Sequence, residues 1–258
     1  MSSRSIGFGI AALLTSMSTA HADLAISNDA TSNVTCSDGV CSATAVNAVL
    51  NISELANMLA SEDVQVVSGS LAQDIDFDAS LSWTSNRTLT LDAFHSIFFR
   101  KPVVVESAGG LTIVTNDGGT QGDFQFLGRA HMQFRDLNAA LEINGNSYKL
   151  LQSIKKFAHY GRRGGFIALA NSYDAAKDGT FKQPLFPAGH DEASLEGLGN
   201  TIKNLSISAD GDVGLFDGIG GLQFIRDLEL ENIDFEGSRS IGAFAGGSNG
   251  TIQNCRVT

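Results

Sequence analysis

Three aspartates at alternate positions are the first residues in this 258-residue sequence whose types and spacing could do chemistry. Asp74, Asp76 and Asp78 alternate with apolar residues, so an extended strand would place their carboxylates on one face. Clustered carboxylates can hold Ca²⁺. An EF-hand loop beginning at Asp74 would need Gly sixth and Glu twelfth, where the chain has Ala79 and Ser85. We therefore predict a solvated strand face, with these aspartates as weak metal candidates, and no cofactor.

Two cysteines separated by a turn sequence form the second candidate. Cys36 and Cys41 flank Asp38-Gly39, a dipeptide typical of tight turns that would bring the thiols together. In an exported protein this arrangement favours a disulfide between them, the alternative being two free buried thiols. A metal site is not expected, because no other Cys or His lies nearby to complete a tetrahedral ligand set. Cys255 has no obvious partner.

The side chains that could support catalysis do not form a recognisable motif. Carboxylates are plentiful, but no pair stands out as general acid and base, and the histidines are scattered without a nucleophile motif. Carbohydrate clefts usually present Trp and Tyr, whereas this chain has one Trp, three Tyr and 16 Phe. Phe suits internal stacks. We therefore predict a protein that is not an enzyme, with an extracellular polysaccharide lyase or hydrolase as the alternative.

The composition narrows the class of protein further. With 43% apolar and 17% charged residues, the chain has enough apolar surface for a core and is not disordered. Its formal net charge of −11 argues against a nucleic-acid partner, since nucleic-acid binders carry basic faces. No stretch approaches the ~18 uninterrupted apolar residues of a membrane span. The sequence therefore predicts no membrane span and no nucleic-acid partner.

The first 22 residues are typical of a secretory signal peptide. Arg4 supplies a short basic start, and Ile6 to Leu14 is an apolar run too short to span a bilayer. Ala20-His21-Ala22 matches the A-x-A cleavage site. The alternative is an ordinary N-terminal helix. We predict cleavage after Ala22 and a mature protein that is secreted, extracellular or attached to the outer cell surface.

The elements that must position these residues are mostly short strands. From residue 64 to residue 151, six apolar segments, several with period-2 alternation, are separated by turns rich in Gly, Asn and Asp. This pattern predicts an all-β fold. Two helices interrupt it. One is predicted over 53–61, with Ser53 as N-cap, as a cap of the N-terminal end, and helical spacing of apolar residues predicts the other over 150–160 as an insertion.

Two interleaved motifs repeat near the C-terminus. Three stretches share the pattern Ile-x-Asn/Asp-Leu/Cys-x-aliphatic and begin at Ile202, Ile225 and Ile252, at spacings of 23 and 27 residues. Between them a Gly-x-Phe motif occurs twice, 28 residues apart. Such periods indicate one solenoid coil per unit, with Ile stacked on Ile and Phe on Phe. The predicted structural-repeat residues are Ile202, Asn204, Leu205, Gly214, Phe216, Ile225, Asp227, Leu228, Gly242, Phe244, Ile252, Asn254 and Cys255.

These changes of pattern divide the chain into four predicted parts. Residues 1–22 are the signal peptide, and residues 23–149 are a β-helix-like region with its capping helix. Residues 150–192 are a helix and loop connector. Residues 193–258 are the solenoid repeats, the last of them incomplete.

The repeat region resembles the GLUG repeat of large bacterial surface proteins. The matching pieces are Leu195-Glu196-Gly197-Leu198-Gly199-Asn200-Thr201-Ile202-Lys203-Asn204-Leu205, Val213-Gly214-Leu215-Phe216, Ile225-Arg226-Asp227-Leu228 and Gly250-Thr251-Ile252-Gln253-Asn254-Cys255. The earlier β region resembles the passenger of filamentous haemagglutinin-like exoproteins. The resemblance implies an all-β, right-handed parallel β-helix with an adhesin-like role, presenting a repetitive surface to host cells, a matrix or a glycan surface.

The last predicted strand ends at an uncovered edge. The earlier coils continue into a Gly-x-Phe motif, whereas the chain stops shortly after Val257. Solenoid ends expose unpaired strand backbone and apolar core unless a cap covers them. We therefore expect a fragment of a longer surface protein, and self-association through the edge from Ile252 to Val257.

Overall fold

A computed structural model describes residues 23–161, 163–186 and 191–258, and the predicted signal peptide lies outside these residues. The described chain is almost entirely β, with 28 strands and three short α-helices. Helix α1 spans Ile52–Leu59, α2 spans Gly69–Ala72, and α3 spans Phe157–Gly161 after a 3₁₀ turn at Ile154–Lys156. None of the helices in the described ranges is long and apolar enough to cross a membrane.

The strands fall into two groups on either side of a tight turn at Asn144 and Gly145, whose φ angles are 48° and 77°. The first group is β1 (Asp23–Ser27), β2 (Val34–Ser37), β3 (Val40–Ala43), β4 (Ala48–Asn51), β5 (Val64–Val67), β6 (Asp74–Phe77), β7 (Leu81–Trp83), β8 (Thr88–Asp92), β9 (Ile97–Phe99), β10 (Val103–Val105), β11 (Gly110–Val114), β12 (Phe124–Phe126), β13 (Met132–Phe134) and β14 (Ala140–Ile143). The second group is β15 (Asn146–Leu151), β16 (Arg163–Leu169), β17 (Tyr173–Asp174), β18 (Thr180–Phe181), β19 (Asp191–Glu196), β20 (Thr201–Lys203), β21 (Ser206–Ser208), β22 (Phe216–Ile219), β23 (Phe224–Arg226), β24 (Glu229–Glu231), β25 (Asp234–Glu236), β26 (Ala245–Ser248), β27 (Thr251–Gln253) and β28 (Arg256–Val257).

The strands stack as parallel coils, which form a β-solenoid of about eight turns. An 11-stranded sheet, called the long sheet, takes strands from both groups in the order β2-β3-β5-β8-β11-β14-β15-β16-β19-β23-β27. The first group completes its coils with the sheets β4-β1-β6-β9-β12 and β7-β10-β13. The second group uses β17-β20-β24-β28, β18-β21-β25 and β22-β26. The predicted all-β parallel solenoid is confirmed.

The register of the long sheet explains the period-2 pattern of the sequence. Leu89 pairs with Leu111, and Leu111 pairs with Leu141, so three leucines from successive coils form one column. All three are buried, with at most 2% of each exposed. The residues between such positions point to the other face of the sheet. Apolar residues at every second position therefore become continuous columns of the core.

The phenylalanines form the internal stacks that their abundance indicated. In the first group, successive coils place ring centroids 5.7 Å and 5.2 Å apart, along the series Phe77, Phe99 and Phe126. In the second group the centroid distances are 5.3 Å and 3.9 Å, along the series Phe157, Phe186 and Phe216. These contacts add a geometric preference to the burial of each ring.

The two groups bury their apolar side chains on opposite faces of the long sheet. The antiparallel hairpin pairs Ile143 with Asn146, so alternate residues of β14 and β15 share a face. Leu150 packs into the first core and Leu151 into the second, and Ala168 and Leu169 of β16 divide in the same way. The C-terminal ends of strands β15 and β16 are therefore covered on both faces. The molecule consists of two solenoids, one per group of strands, that share one sheet.

Helix α1 covers the N-terminal end of the first solenoid, where it packs beside β4 and β7. Leu55 and Leu59 on its inner face are fully buried. The N-cap is Asn51, whose side chain accepts hydrogen bonds from Ser53 N at 2.9 Å and Glu54 N at 3.3 Å. The prediction of Ser53 as N-cap is therefore wrong. Asn51 ends β4 in an extended conformation, and this places its amide oxygen at the helix start.

The predicted helix over 150–160 is wrong in its first residues. Leu150 and Leu151 belong to β15, and helical structure begins at Ile154. Because the end of β15 is buried on both faces, the neighbouring residues Leu150 and Leu151 are both apolar and imitate the spacing of a helix. The predicted connector over 150–192 likewise contains β16, β17, β18 and the start of β19. This segment is part of the second solenoid rather than a link before it.

The register of the repeat region differs from the one that the first spacing predicted. Ile225 pairs with Ile252, 27 residues later. Ile202, however, pairs with Leu230, and Ile225 pairs with Leu195 in the preceding coil. The stacking of Ile202 on Ile225 is therefore wrong. The same motif serves two different corners of each coil, because both corners need a left-handed residue between two buried aliphatic side chains.

Asparagine and aspartate form hydrogen-bonded ladders at these corners. Asn204, Asp227, Asn232 and Asn254 all have positive φ, between 51° and 55°. Asn232 Nδ2 donates to Asn204 Oδ1 at 2.6 Å, and Asn204 Nδ2 donates to Asp174 Oδ1 at 2.8 Å. At the second corner, Asn254 Nδ2 donates to Asp227 Oδ1 at 3.2 Å. These residue types tolerate the left-handed conformation, and their side chains join one coil to the next.

Candidate functional site

The second solenoid closes the open edge of the first at β13. Met132 N donates to Leu198 O at 2.9 Å, and Phe134 N donates to Ala170 O at 2.9 Å. Asn200 is fully buried and donates through Nδ2 to Met132 O at 2.8 Å. The edge of β13 is thus satisfied by residues far later in the chain. We call this contact between the two solenoids the junction; it includes the residues around β12 and β13 and the facing residues of β19, β23 and β27.

A half-buried arginine lies in the junction, on the face of β23 that is turned away from the second core. Arg226 contacts three carboxylates, at 2.9 Å for Nη2 to Asp123 Oδ1, 2.9 Å for Nε to Glu196 Oε2 and 3.3 Å for Nε to Asp227 Oδ2. Its guanidinium carbon lies 4.0 Å from the ring centroid of Phe124, a cation–π contact. The Arg226 side chain is 16% exposed and that of Glu196 is fully buried. The cluster therefore holds several charges away from water.

Neutral donors complete the hydrogen bonds of this cluster. Gln253 Nε2 donates to Asp123 Oδ2 at 3.0 Å, and Leu198 N donates to Glu196 Oε1 at 3.0 Å. Glu196 Oε2 faces Arg226 Nε without the alignment of a hydrogen bond. Asp123 is thus bonded to residues 103 and 130 positions later. The cluster is a product of the tertiary fold and not of local sequence.

Three carboxylates around one guanidinium leave an excess of negative charge in the junction. Burial, and then repulsion from Asp227, raises the pKa of Glu196 well above its ordinary value. Burial also raises the pKa of Asp227 to about 6, against the opposing effect of Arg226. Burial, followed by the charge of Glu196, raises the pKa of Tyr148. The native junction therefore retains protons at pH values where the unfolded chain has lost them.

A polar groove opens beside the cluster, between residues 127–131 and the outer face of the sheet β17-β20-β24-β28. Two adjoining clefts, of about 310 Å³ and 470 Å³, share several lining residues, among them Glu229 and Arg256. Gly199 brings the two walls together, because a Cβ at this position would lie 2.5 Å from Ala130 O. Its φ of 71° is also one that glycine adopts without strain. We call this cleft pair the junction groove.

The floor of the junction groove consists of two columns of polar side chains. The strand register aligns Thr201 with Glu229 and Glu229 with Arg256, and it aligns Lys203 with Glu231. Lys203 Nζ lies 2.7 Å from Glu231 Oε2, and Arg256 Nη2 lies 2.7 Å from Glu229 Oε2. The hydrogen bond from Arg256 lowers the pKa of Glu229. The floor therefore presents ionised donors and acceptors at the ~4.8 Å spacing of neighbouring strands.

The wall of the groove adds basic side chains. Arg129 is exposed and forms no ion pair within the described part of the chain. His131 is half-buried, with Nδ1 3.0 Å from Arg129 O. The larger cleft is lined by three Lys or Arg residues against two Glu. In a chain with a formal net charge of −11, this is a local excess of positive charge.

The three aspartates that the sequence singled out are engaged by basic side chains of the first solenoid. Asp74 Oδ1 lies 2.7 Å from His95 Nδ1, and Arg100 contacts Asp76 at 3.1 Å and Asp78 at 3.2 Å. The prediction of a solvated face is wrong for Asp74, which is 3% exposed and lies against His95. Within the described ranges, no group of three or more His, Cys, Asp or Glu side chains could hold a metal ion.

The two N-terminal cysteines face each other across the hairpin of β2 and β3. Cys36 and Cys41 are cross-strand partners joined by a disulfide, with Cα atoms 4.0 Å apart. Asp38 and Gly39 between them have φ angles of 50° and 77°, which suit a tight hairpin turn. The bridge therefore fastens β2 at the end of the long sheet. Cys255 is a free cysteine, and burial raises the pKa of its thiol to about 11.

The Gly-x-Phe motifs contribute close packing rather than a site. A Cβ at Gly214 would lie 2.6 Å from Ala245 Cα, and a Cβ at Gly242 would lie 2.2 Å from Ala245 O. Phe216 N donates to Phe244 O at 2.9 Å, but the register pairs Phe216 with Ala245, so the predicted stacking of Phe216 on Phe244 is one residue out of register. The remaining aliphatic repeat residues of the earlier coils are at most 1% exposed, namely Ile202, Leu205, Ile225 and Leu228.

Sequence reasoning did not identify the residues of the junction groove. Arg226 stands at a variable position of the repeat motif, and its partner Asp123 is more than a hundred residues away. Aligning the corners at 28 residues would have stacked Lys203 on Glu231, as the structure does. No local pattern could have placed residues 127–131 beside that column, because their position depends on how the first solenoid meets the second.

The architecture defines the chain as a parallel β-solenoid protein with a polar groove where two solenoids meet. Its sequence is similar to halomucin of Haloquadratum walsbyi (strain DSM 16790 / HBSQ001), with 30% identity over 186 residues. The alignment covers 70% of this chain and 2% of halomucin, so the chain spans a very small part of that relative. No family model and no solved structure matches the chain.

Proposed function

We propose that the chain is a module of a secreted or cell-surface protein and acts in attachment, as an adhesin-like solenoid that presents the junction groove to a cell, a matrix or a glycan surface. The groove is the observation that carries this proposal. Its floor repeats ion-paired side chains from coil to coil, and its wall adds the exposed Arg129. A parallel sheet holds these groups at fixed spacing, which suits a repetitive ligand.

The similarity to halomucin supports a location at the cell surface, because its name is that of a mucin. The corner motifs support the same class, since two of the GLUG-like copies stack on each other, with Ile252 on Ile225 and Asn254 bonded to Asp227. We assign the second solenoid to the GLUG type on this basis. The first solenoid, with its irregular coils, is assigned to the filamentous haemagglutinin-like type.

The accessible carboxylate of the groove, Glu229, suits binding rather than catalysis. Asp227 lines the smaller cleft and has a raised pKa, but it is 4% exposed and accepts hydrogen bonds from Arg226 and Asn254. Glycosidic cleavage needs a carboxyl group with a raised pKa to protonate the leaving oxygen. The hydrogen bond from Arg256 acts in the opposite direction and lowers the pKa of Glu229. Glu229 is thus held ionised, as an acceptor for a ligand's hydroxyl groups.

Attachment of the purified secreted chain to cells, matrix preparations and isolated polysaccharides tests this proposal. We expect saturable binding to at least one of these surfaces, reduced by Arg129→Gln combined with Lys203→Gln. The matched control is Arg87→Gln combined with Lys101→Gln, two exposed basic residues of the first solenoid outside the groove. Failure to bind any surface, or depolymerisation of a polysaccharide by the chain, would contradict the proposal.

A further inference from the structure

We infer that the junction groove binds an anionic glycan, in which sugars that carry carboxylate groups alternate with neutral sugars. This inference rests on the proposed attachment function and names the ligand class of the same groove. The first observation behind it is Arg129, whose guanidinium is exposed on the wall of the larger cleft and has no acidic partner among the described residues. A guanidinium in this state is available for a bidentate bond to a carboxylate.

The second observation is the chemistry of the groove floor. Lys203 and Arg256 are each bonded to a glutamate at 2.7 Å, so both cations and both carboxylates are already oriented. Thr201 lines the same cleft and donates to Glu229 Oε2 at 3.3 Å. Sugar hydroxyl groups act as both donors and acceptors, and they can bond to such oriented pairs without separating them. The floor therefore fits the neutral sugars of the ligand, while the wall fits its carboxylates.

The third observation is spacing. Neighbouring strands of the floor are ~4.8 Å apart, and outward residues of one strand lie ~7 Å apart. Thr201, Lys203, Glu229 and Glu231 thus mark the corners of a rectangle comparable in size to one pyranose ring. Two adjoining clefts extend this floor toward Asn254. An extended chain of a few sugars fits this shape better than a single small molecule does.

The composition argues against other polyanions. Single-stranded nucleic acids are held by aromatic rings that stack on bases and by broad basic faces. The larger cleft has no Phe, Tyr or Trp among its lining residues, the smaller one has a single Phe, Phe126, and the chain as a whole carries a net charge of −11. A run of acidic residues in a peptide would meet Glu229 and Glu231 without hydroxyl groups to bond to them. A glycan whose charges are separated by neutral sugars avoids this repulsion.

Calorimetry with a hyaluronan hexasaccharide and its carboxyl-reduced derivative tests the inference. We expect the purified secreted chain to bind the acidic form at least about tenfold more tightly than the reduced form, because charge-assisted bonds are the stronger ones. Arg129→Gln should weaken binding of the acidic form roughly tenfold. Arg129→Lys should weaken it by less, because lysine keeps the charge but cannot form the bidentate bond. Added salt should weaken binding of the acidic form more than that of the reduced form.

The controls separate this inference from the proposed attachment function. Arg87→Gln makes the same charge change outside the groove and should leave the affinity unchanged. Equal affinity for the acidic and reduced forms, an unaffected Arg129→Gln variant, or binding of a polyglutamate peptide or an oligonucleotide in place of the glycan would overturn the inference. Attachment to surfaces that persists through any of these results would leave the proposed function standing. Loss of all attachment would remove both.

Discussion

The two solenoids build their coils by different means. In the first, paired residues of β6, β9 and β12 are 22 and 27 residues apart, and the longer coil carries a loop closed by Asn116. In the second, paired residues of β20, β24 and β28 are 28 and 27 residues apart, and amide side chains join successive corners. Apolar columns thus tolerate loops of varying length, since only the strands must align. Corner ladders require coils of nearly constant length.

The largest expected effect concerns the junction, where the two solenoids depend on each other. Arg226→Met leaves Asp123, Glu196 and Asp227 without their shared cation, and removal of one partner from a buried ionic cluster typically costs about 3–5 kcal/mol. Urea unfolding at neutral pH measures this loss. The matched control is Arg256→Met, an exposed pair in which the loss should stay below about 1 kcal/mol. Equal losses of unfolding free energy in the two variants would show that the Arg226 cluster does not stabilise the contact between the solenoids.

The next effect is a dependence of stability on pH that arises in the junction. The pKa of Asp227 rises from 3.8 when unfolded to about 6 when folded, and the pKa of Glu196 is also raised. Between pH 3.8 and about pH 6 the native state binds more protons than the unfolded state, so the free energy of unfolding falls as pH rises. For Asp227, which is 4% exposed, the fall is on the order of 3 kcal/mol from pH 4 to pH 8.

Unfolding measured across this pH range checks the expectation, with Glu196→Gln as the decisive variant. Glutamine keeps the oxygen that accepts from Leu198 N and removes one buried negative charge, so the curve should become flatter. Glu62→Gln, an exposed carboxylate of the first solenoid, should leave the shape of the curve unchanged. If the free energy of unfolding of Glu196→Gln changes with pH as much as that of the unmodified chain, the pH dependence does not arise in the junction.

A smaller effect separates the ladder corners from ordinary turns. Asn232→Ala places a side chain that disfavours φ of 51° at the corner and removes the bond to Asn204, for a loss of about 1–2 kcal/mol or more. Asn232→Gly restores the backbone freedom, so its remaining loss measures the ladder bond. Asn47, with φ of 52° in the first solenoid, is the matched turn without such a ladder. Asn232→Gly should therefore lower the stability more than Asn47→Gly does. Thermal unfolding of the alanine and glycine variants at both positions measures this difference.

The smallest effect concerns the last coil. Strands β27 and β28 pair with β23 and β24, and no described strand pairs with their outer edge. Ile252 and Val257 are 43% and 48% exposed there. We expect the chain to self-associate at high concentration, and Ile252→Lys with Val257→Glu to weaken this several-fold. Analytical sedimentation measures the self-association. As a control, Leu222→Lys with Val46→Glu introduces the same two charges at exposed apolar residues away from this edge. A chain that is monomeric at all concentrations would contradict the expectation.

The sequence was sufficient to predict those features that depend on a local pattern of residues, namely the strands and the repeats. Alternation placed the strands, and the Ile-x-Asn/Asp-Leu/Cys-x-aliphatic motif revealed the repeats of the second solenoid. It did not reveal that one motif serves two corners, because Ile202 and Ile225 occupy the same local environment in different sheets. The sequence indicates a turn at Asn144, but it does not indicate that this turn reverses the chain and moves the core to the other face of the long sheet. Only the pairing of β14 with β15 shows that the second core lies on the other face of the long sheet.

The junction groove was unpredictable for a related reason. Its wall and floor are brought together by the contact of β13 with Leu198 and Ala170, which no periodicity encodes. The basic residues of the floor are outward-facing in a solenoid, where sequence offers few constraints. The candidate binding residues thus face outward from the solenoid, whereas the apolar alternation that can be recognised in the sequence describes only the residues that face the core.

The edge of β13 also gives the molecule an order of assembly. A ribosome releases the chain from its N-terminus, so the first solenoid emerges while Met132 and Phe134 still lack the partners that Leu198 and Ala170 later provide. During that interval the edge is a template for any extended chain that meets it. The edge of β13 therefore stays open until the chain has been made as far as Leu198.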